Sequence, residues 1–207
     1  MAVEVGEGLG GLKSEMTRRR LLDAANRLFR ARGYAATTAA AIAEDAGVTE
    51  RTFFRYFPTK ADVLAANWQA RRDALMRTLA TSTAPDLIDV VRDGMHEFTE
   101  HVRIGIEAGH DSMLHLLNDK DAGSAVLQVL LSVEHDLANE IARRAHRSTE
   151  DFAVRTAAYA TVGVFRAALR AAVDRGEPGC ITALVDEGMH RLRPLYTGLD
   201  PTSSQSG

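Results

Sequence analysis

The sequence contains only one cysteine, Cys180, so the chain cannot form an internal disulfide and suits a reducing compartment. Cys180 lies in the tripeptide Gly-Cys-Ile at a predicted helix start, where we expect a small apolar residue rather than a redox sensor. Prolines are scarce as well, at five in 207 residues, while alanine and leucine are abundant. This composition favours helices.

Long apolar runs are also absent. The longest mostly apolar stretch, 157–165, is well short of the roughly 18 residues that a membrane-spanning helix needs. The first residues, MAVEVGEGLGG, are acidic and lack the basic and apolar regions of a signal peptide. We therefore expect a cytoplasmic protein that binds no membrane, with disordered tails over 1–13, which is rich in glycine, and over 198–207.

The chain as a whole has no excess of positive charge, since its formal net charge is −3. The average hides an asymmetry, because residues 13–60 contain ten Lys/Arg and five Asp/Glu (+5), whereas 61–207 contain fifteen and twenty-one (−6). A basic first third can lie against phosphates, and the acidic remainder would be repelled by them. The alternative is a chance fluctuation, which the charge alone does not exclude.

From Lys13 onward the apolar residues recur at the spacing of α-helices, which predicts an all-α chain of about nine helices. The first carries an apolar stripe through Leu21, Ala25, Leu28 and Phe29 and ends at Gly33. A short helix is expected over 106–117. The other predicted helix starts are Thr37 or Thr38, Thr49, Thr59 with Asp62 as a capping box, Pro85, Asp119 or Asp121, Ser148 with Asp151 as a capping box, and Pro178.

The segment 37–60, TTAAAIAEDAGVTERTFFRYFPTK, is the most informative part of the chain. It predicts two short helices joined by a turn at Gly47, where a backbone with positive φ favours glycine. The apolar residues of both helices would pack against the preceding helix. The second helix is left with an unusually polar outer face, made of Thr49, Glu50, Arg51, Thr52, Arg55 and Tyr56.

Such a face suits the major groove of DNA, because an α-helix fits this groove and its first turn reaches the base edges. Arg51 is the best candidate for a base contact, since its guanidinium can bond guanine O6 and N7 together. Thr52, Tyr56 and Lys60 suit phosphates, and Thr38 could reach one beside the amides of its helix N-terminus. Any small helical domain also has polar outer faces, so this pattern alone leaves other functions open.

The segment RLLDAANRLFRARGYAATTAAAIAEDAGVTERTFFRYFPTKADVL resembles the N-terminal domain of the TetR family of transcriptional regulators. The resemblance rests on Leu28-Phe29, Gly33-Tyr34, Thr37-Thr38, Ile42-Ala43, Ala46-Gly47-Val48, the aromatic run 53–57 and Lys60. It implies a three-helix helix-turn-helix DNA-binding domain over 14–60. The DNA-binding residues expected on this basis are Thr38, Thr49, Arg51, Thr52, Phe54, Arg55, Tyr56 and Lys60.

One position departs from the family pattern. The family often has tyrosine where this chain has Phe54, and that tyrosine can give its hydroxyl to a phosphate. Phe54 cannot, so we expect Tyr56 or Arg55 to take more of this role.

The resemblance also implies that 61–197 forms a helical domain that dimerises and often holds a small ligand. The residues support a dimer independently, because the helices predicted after Ser148 and after Pro178 have broad apolar faces. The first of the two is rich in small residues, which let helices approach closely: Ala157, Ala158, Ala160, Gly163, Ala167, Ala168, Ala171 and Ala172. Two such helices from each chain would make a four-helix interface. The alternative is that these faces are internal core.

The candidate ligand pocket lies among the middle helices. Its predicted apolar lining is Trp68, Met95, Phe98, Met113, Leu117, Leu130 and Phe165, and its predicted polar contacts are Arg92, His96, Arg103 and His110. Aromatic and methionine stripes are more often plain core, which is the alternative here. The part from about His135 onward resembles regulators with an acyl-CoA-like ligand domain, including the mycofactocin type, which implies an acyl thioester or another long apolar effector.

These expectations combine into one function. The chain would bind a palindromic double-stranded DNA operator as a homodimer, because two recognition helices read two half-sites about one helical turn apart. Repression is the commoner outcome in the family. A small effector that favours a tilted fourth helix would release the protein from DNA.

Two other functions are alternatives to this one. An enzyme is disfavoured, because His96 and His101 in MHEFTEH are spaced i,i+5, whereas a zinc protease motif needs i,i+4, and His110 and His115 repeat the wrong spacing. No nucleophile elbow, phosphate loop or dinucleotide fingerprint occurs, so we expect no catalytic residues, metal or cofactor. A helical adaptor that dimerises without DNA is the other rival, which the basic first third disfavours.

Overall fold

The computed structural model describes residues 4–107 and 120–199, and the regular secondary structure in these ranges is entirely helical, which confirms the all-α prediction. A short 3-10 helix spans Pro178–Cys180. The α-helices of the described ranges are α1 (Glu4–Arg32), α2 (Ala39–Asp45), α3 (Glu50–Tyr56), α4 (Lys60–Thr81), α5 (Leu87–Glu107), α6 (Lys120–Ala145), α7 (Phe152–Arg175) and α8 (Ile181–Thr197). Beyond the end of α5, the helix predicted over 106–117 lies outside the described residues.

Predicted cap residues begin α2, α3 and α4. The Thr38 hydroxyl accepts a hydrogen bond from the Ala41 amide at 3.1 Å, and Thr49 caps α3 in the same way. Thr59 and Asp62 form the predicted capping box, because the Thr59 amide donates to Asp62 Oδ2 at 2.7 Å and the Asp62 amide donates to Thr59 Oγ1 at 3.3 Å. These bonds satisfy amides that a helix leaves without a partner in its first turn.

The prediction that Ser148 and Asp151 form a capping box is wrong. Helix α7 begins at Phe152, and its N-cap is Asp151, whose Oδ1 accepts from the Ala153 amide at 2.8 Å. Ser148 instead accepts from the Glu150 amide at 3.1 Å, within the turn before the helix. The physical reason is that Asp151 keeps an extended backbone, so the first helical turn starts after it.

Several helix ends also differ from prediction. Helix α1 begins at Glu4, so residues 4–13 are helical rather than a tail. Once part of a helix is formed and packed, each further residue that becomes helical adds one backbone hydrogen bond, so the helix can extend toward its N-terminus. Asp121 lies inside α6 and cannot cap it, while Asp119 lies outside the described residues. The tail predicted from 198 starts too early, since Leu199 is buried.

The chain divides into two compact units, and the division falls between Asn67 and Trp68. Of the described residues, 4–67 and 120–126 belong to the first unit, and 68–107 and 127–199 belong to the second. The predicted boundary after residue 60 therefore differs from the observed one. The reason is that the first turns of α4 pack in the first unit, where the Asn67 side-chain amide donates to Asn26 Oδ1 at 2.7 Å.

The first unit is built on α1, against which α2 packs, with α3 packed on α2. Its core contains residues from each of these helices. The fully or almost fully buried side chains are Leu21, Ala24, Ala25, Phe29, Ile42, Ala43, Phe53 and Phe57. Most of the predicted stripe of α1 is therefore core, whereas Leu28 is only half-buried.

In the second unit, α8 packs on both α5 and α7. Helix α8 approaches α7 closely at Gly188, where any Cβ atom would clash with the Val164 side chain. The buried Tyr196 hydroxyl donates to Thr161 Oγ1 at 2.6 Å, and the Thr161 hydroxyl donates to the Ala157 carbonyl at 2.9 Å. No helix within 4–107 or 120–199 combines the length and the apolar character that a membrane crossing requires.

Candidate nucleic-acid interface and effector site

The turn between α2 and α3 has the geometry that the sequence predicted. Gly47 has a φ of +66°, and its amide donates to the Glu44 carbonyl at 2.9 Å. The next amide, of Val48, donates to the Ala43 carbonyl at 2.9 Å. The turn is therefore closed by hydrogen bonds to the end of α2, which fixes where α3 begins.

Helix α3 separates its apolar and polar faces sharply. Phe53 is fully buried, and the C-cap residue Phe57 is almost so. On the other side Arg51, Phe54 and Arg55 are exposed. Burying the two phenylalanines in the first unit orients the rest of the helix toward solvent, as the predicted polar face requires.

Arg51 is the exposed cation of this face that is best placed for a base contact. In the part of the chain that the structure describes, no hydrogen bond or ion pair engages its guanidinium. Its neighbours Thr49 and Thr52 bond each other through their hydroxyls at 2.9 Å. Arg51 lies in the first turn of α3, and a recognition helix contacts base edges with its first turn.

Phe54 is 47% exposed, although it is a large apolar residue. Its ring contacts Phe53 edge to face, with ring centroids 5.3 Å apart. An exposed phenyl ring on this face can contact the apolar part of a base edge, such as a thymine methyl group, but it cannot bond a phosphate.

Tyr56 lies where α3 meets α1. The neighbouring Ser14 hydroxyl is the largest cause of a lowered Tyr56 pKa; burial, the second-largest cause, raises this pKa, and Arg55 and Thr17 lower it further. The Arg55 guanidinium lies 5.1 Å from the centroid of the Tyr56 ring. Ser14 and Thr17 were missed from the sequence, because their approach to Tyr56 is a long-range contact without a local pattern.

Lys60 is engaged within the protein. Its ammonium donates to the Tyr34 carbonyl at 2.7 Å and lies 3.9 Å from the centroid of the Tyr34 ring. Here the side chain ties the start of α4 to the loop after α1. Thr38 is likewise used locally, as the cap of α2.

The predicted apolar pocket residues of the second unit form a ring cluster. Phe98 contacts both Phe165, with centroids 5.0 Å apart, and Trp68, at 5.8 Å. Trp68 and Phe165 are 6.3 Å apart, edge to face. Met95 and Leu130 are buried as well. The predicted residues His110, Met113 and Leu117 lie outside the described residues.

Trp68 carries a polar group that the cluster does not satisfy. Its side chain is 1% exposed, and its indole Nε1 donates to no acceptor among the described residues. An unsatisfied buried donor costs about 1–3 kcal/mol and calls for an explanation. The Arg71 guanidinium lies 5.2 Å from the centroid of the same indole, and burial lowers the pKa of Arg71 to about 10.

Two of the predicted polar contacts of the pocket line a separate groove. Arg92 and His96 line a groove of about 370 Å³ on the outside of α5 and α8. Its other lining residues are Ile88, Asp186, Met189, His190 and Arg193. Arg103 pairs with Glu100, with Nε and Oε2 2.8 Å apart. Arg92 and His96 therefore line a different site from the aromatic cluster, and the predicted residue His110 lies outside the described residues.

Comparisons with known proteins match the two parts of the chain separately. The profile of the bacterial regulatory proteins of the tetR family matches residues 21–66, and the profile of the MftR C-terminal domain matches 85–197. The HTH-type transcriptional regulator TcmR of Streptomyces glaucescens is 34% identical over 112 residues. That match covers 54% of this chain and 50% of TcmR, so the chain spans about half the length of this relative.

Solved structures share the fold at low identity. A TetR-family regulator from Streptomyces coelicolor has a TM-score of 0.64 at 21% identity, over 88% of this chain and 96% of that one. FadR of Thermus thermophilus, in complex with lauroyl-CoA, has a TM-score of 0.59 at 24% identity, over 84% and 92% of the two chains. SmeT, the repressor of a multidrug efflux pump of Stenotrophomonas maltophilia, has a TM-score of 0.57 at 23% identity, over 87% and 89%.

Proposed function

The chain belongs to the TetR family of bacterial transcriptional regulators, and we propose that it is a cytoplasmic repressor that binds a palindromic operator as a homodimer and is released by a small effector. The family and the curated relative are regulators of transcription rather than enzymes. The observation that carries the DNA-binding part is the exposed polar face of α3, with the guanidinium of Arg51, unpaired among the described residues, in its first turn.

On this proposal α3 enters the major groove. Arg51 reads a guanine through O6 and N7, a contact worth about 1–3 kcal/mol against the wrong base. Arg55, Tyr56 and the hydroxyls of Thr49 and Thr52 bond phosphates and fix the register on the duplex. Lys60 and Thr38 act at the edges of the interface, where Lys60 would have to exchange the Tyr34 carbonyl for a phosphate.

Exposed apolar residues on α7 and α8 support the homodimer. Phe152, Tyr159 and Leu195 are 83%, 51% and 39% exposed. On α7 the small residues divide between two faces, since Ala157 and its buried neighbours are core while Gly163 and Ala167 are exposed. Covering such a face with the same face of a second copy removes apolar surface from water, and the small residues let the helices approach.

The aromatic cluster supports an effector with both an apolar part and a hydrogen-bond acceptor. The rings of Trp68, Phe98 and Phe165 favour an apolar part, and the Trp68 N–H, which has no acceptor among the described residues, can donate to a carbonyl oxygen. An acyl thioester has both. FadR of Thermus thermophilus holds lauroyl-CoA, which makes this molecule a sensible first probe.

Release of the protein from DNA would follow from a shift in population between two conformations that differ in the tilt of α4. Residues of this helix belong to both units. An effector that binds better to one tilt of α4 favours dimers whose recognition helices are wrongly spaced for the operator. A coupling of about 1–3 kcal/mol would weaken operator binding roughly 5- to 150-fold.

The proposal is tested by selecting bound duplexes from a random DNA library at about 0.15 M salt, which is near physiological ionic strength. We expect an enriched inverted repeat, lost in Arg51→Ala and kept in Arg30→Ala, which removes an exposed arginine of α1 that bonds the Asn26 carbonyl. Binding without any enrichment would contradict sequence-specific recognition. Folded dimeric protein that binds no duplex would favour the adaptor function.

A further inference from the structure

Two arginines of α1 hold the end of α2. The Arg20 guanidinium donates to the carbonyl of Ala46, the C-cap residue of α2. Arg27 donates to Oδ2 of Asp45, the last residue of α2, through Nε at 3.2 Å and through Nη2 at 2.6 Å. Arg20 and Arg27 are about two helical turns apart, so they lie on one face of α1. Both line a cleft of about 240 Å³ beside the end of α2.

These contacts lie directly before the turn that leads into α3. The last carbonyls of a helix have no partner inside the helix, so the Arg20 guanidinium satisfies a group that α2 leaves open. It also lies against Gly47, since a Cβ added there would be 2.8 Å from Arg20 Nη2. Only Gly47 and Val48 separate Ala46 from Thr49, the N-cap of α3. The arginine contacts therefore act on the stretch of chain that determines where α3 begins.

The first turn of α3 is exposed. Thr49, Glu50 and Arg51 all face solvent. The buried Phe53 lies in the middle of the helix, and the buried Phe57 is its C-cap. Burial thus holds the second part of α3 in the core, while the position of the first turn depends on the chain before it. The contacts of α1 with the end of α2 bear on that position.

We propose that Arg20 and Arg27 are positioning residues for DNA recognition, which hold the turn between α2 and α3 so that Arg51 meets the base edges in register. This inference rests on the proposed function, in which Arg51 reads a guanine. A hydrogen bond to a base depends on distance and direction, whereas contacts with phosphates add affinity on any sequence. Loss of the arginine contacts should therefore lower affinity for the operator more than affinity for other DNA.

The ion pair of Arg27 with Asp45 can be broken from either side. Arg27→Met removes a positive charge and Asp45→Asn removes a negative one, so the general attraction to phosphates falls in the first variant and rises in the second. The affinity of each protein is measured for a duplex that carries the enriched inverted repeat and for mixed-sequence DNA of equal length, at one salt concentration. We expect the ratio of the two affinities to fall about twofold to fivefold in both variants, the scale of an exposed ion pair.

Arg20→Met tests the other contact, because methionine cannot donate to the Ala46 carbonyl. We expect the ratio of affinities to fall about tenfold, the scale of a hydrogen bond to a charged group. Arg30→Met is the matched control, since it removes an exposed arginine that bonds the Asn26 carbonyl of its own helix, and it should keep the wild-type ratio. A loss of folded protein would lower both affinities equally and leave the ratio unchanged.

The outcomes separate this inference from the proposed function. The Arg27 and Asp45 side chains are 53% and 36% exposed, so their variants should fold and keep the test decisive where Arg20→Met does not fold. An unchanged ratio in folded Arg20→Met, or in either variant of the ion pair, overturns the inference while the proposed function stands. A wild type that enriches no inverted repeat overturns the proposed function itself.

Discussion

The guanidinium of Arg144 closes the carboxyl end of α4, because it donates to the Leu79 carbonyl at 2.6 Å and to the Ser82 carbonyl at 3.2 Å. The last carbonyls of a helix have no partner inside the helix, and a cation there also offsets the negative end of the helix dipole. Glu140, one turn earlier on α6, holds the guanidinium in place, with Arg144 Nε and Glu140 Oε1 2.8 Å apart.

We therefore expect Arg144→Met to lower the free energy of unfolding by about 2 kcal/mol, the scale of a lost hydrogen bond to a charged group. Arg143→Met is the matched control, because Arg143 also pairs with Glu140 but its side chain is 62% exposed. An exposed pair contributes less than about 1 kcal/mol. Urea unfolding followed by circular dichroism measures both variants. Equal losses of unfolding free energy in the two variants would show that the hydrogen bonds from Arg144 to the carbonyls of α4 contribute nothing to stability.

Glu140 makes stability depend on pH in the acid range. Its burial raises the pKa of the carboxyl, but the hydrogen bonds and charges of Arg143 and Arg144 outweigh this and lower the pKa below 4.5. A lowered folded-state pKa means that the carboxylate stabilises the protein above the unfolded value, and that this stability is lost as pH falls through the folded value. We expect Glu140→Gln to be less stable than wild type at pH 7, and the difference to shrink as the pH is lowered below 4.5. A constant difference would contradict this.

Gly47 should resist substitution. Its positive φ costs any other residue about 1–2 kcal/mol, and an added Cβ would lie 2.8 Å from Arg20 Nη2. Arg20 would have to move from the Ala46 carbonyl that it bonds. We expect Gly47→Ala to destabilise the protein by at least about 1 kcal/mol. Gly11 lies inside α1 with open space around an added Cβ, so Gly11→Ala should be neutral or slightly stabilising. Thermal unfolding of both variants and the wild type measures this difference.

The proposed dimer interface is tested by placing a charge on it. Tyr159 on α7 is 51% exposed, and Leu127 on α6 is 44% exposed, so both accept a glutamate without disturbing the core. We expect Tyr159→Glu to give particles of one chain mass, 22.5 kDa, and Leu127→Glu to keep twice that mass. Light scattering after size exclusion measures this. A dimer that survives Tyr159→Glu would place the interface elsewhere.

The proposed effector contact has a built-in reporter, because Trp68 is the single tryptophan of the chain. Adding lauroyl-CoA should change its fluorescence, and coenzyme A alone should not, since it lacks the apolar acyl part. Losing the indole donor in Trp68→Phe should weaken binding about fivefold to tenfold by calorimetry, equivalent to roughly 1–1.5 kcal/mol. Unchanged affinity in this variant would exclude the indole N–H as a contact.

The sequence by itself determined the local features of this protein. Helix starts at Thr38, Thr49 and Thr59, and the turn at Gly47, follow from side chains that bond amides within three residues and from the backbone freedom of glycine. The apolar spacing of α1 likewise predicted the burial of Leu21, Ala25 and Phe29, because helical periodicity places them on one face.

Only the tertiary structure decided the contacts between residues far apart in the chain. Arg144 and Leu79 are separated by 65 residues, and Lys60 and Tyr34 by 26, and no periodic pattern links either pair. The same holds for Arg18, whose guanidinium lies 5.4 Å from the centroid of the Phe57 ring. Local rules depend on neighbours within one turn, whereas these pairings depend on how whole helices pack, which is set by the combined burial of many side chains.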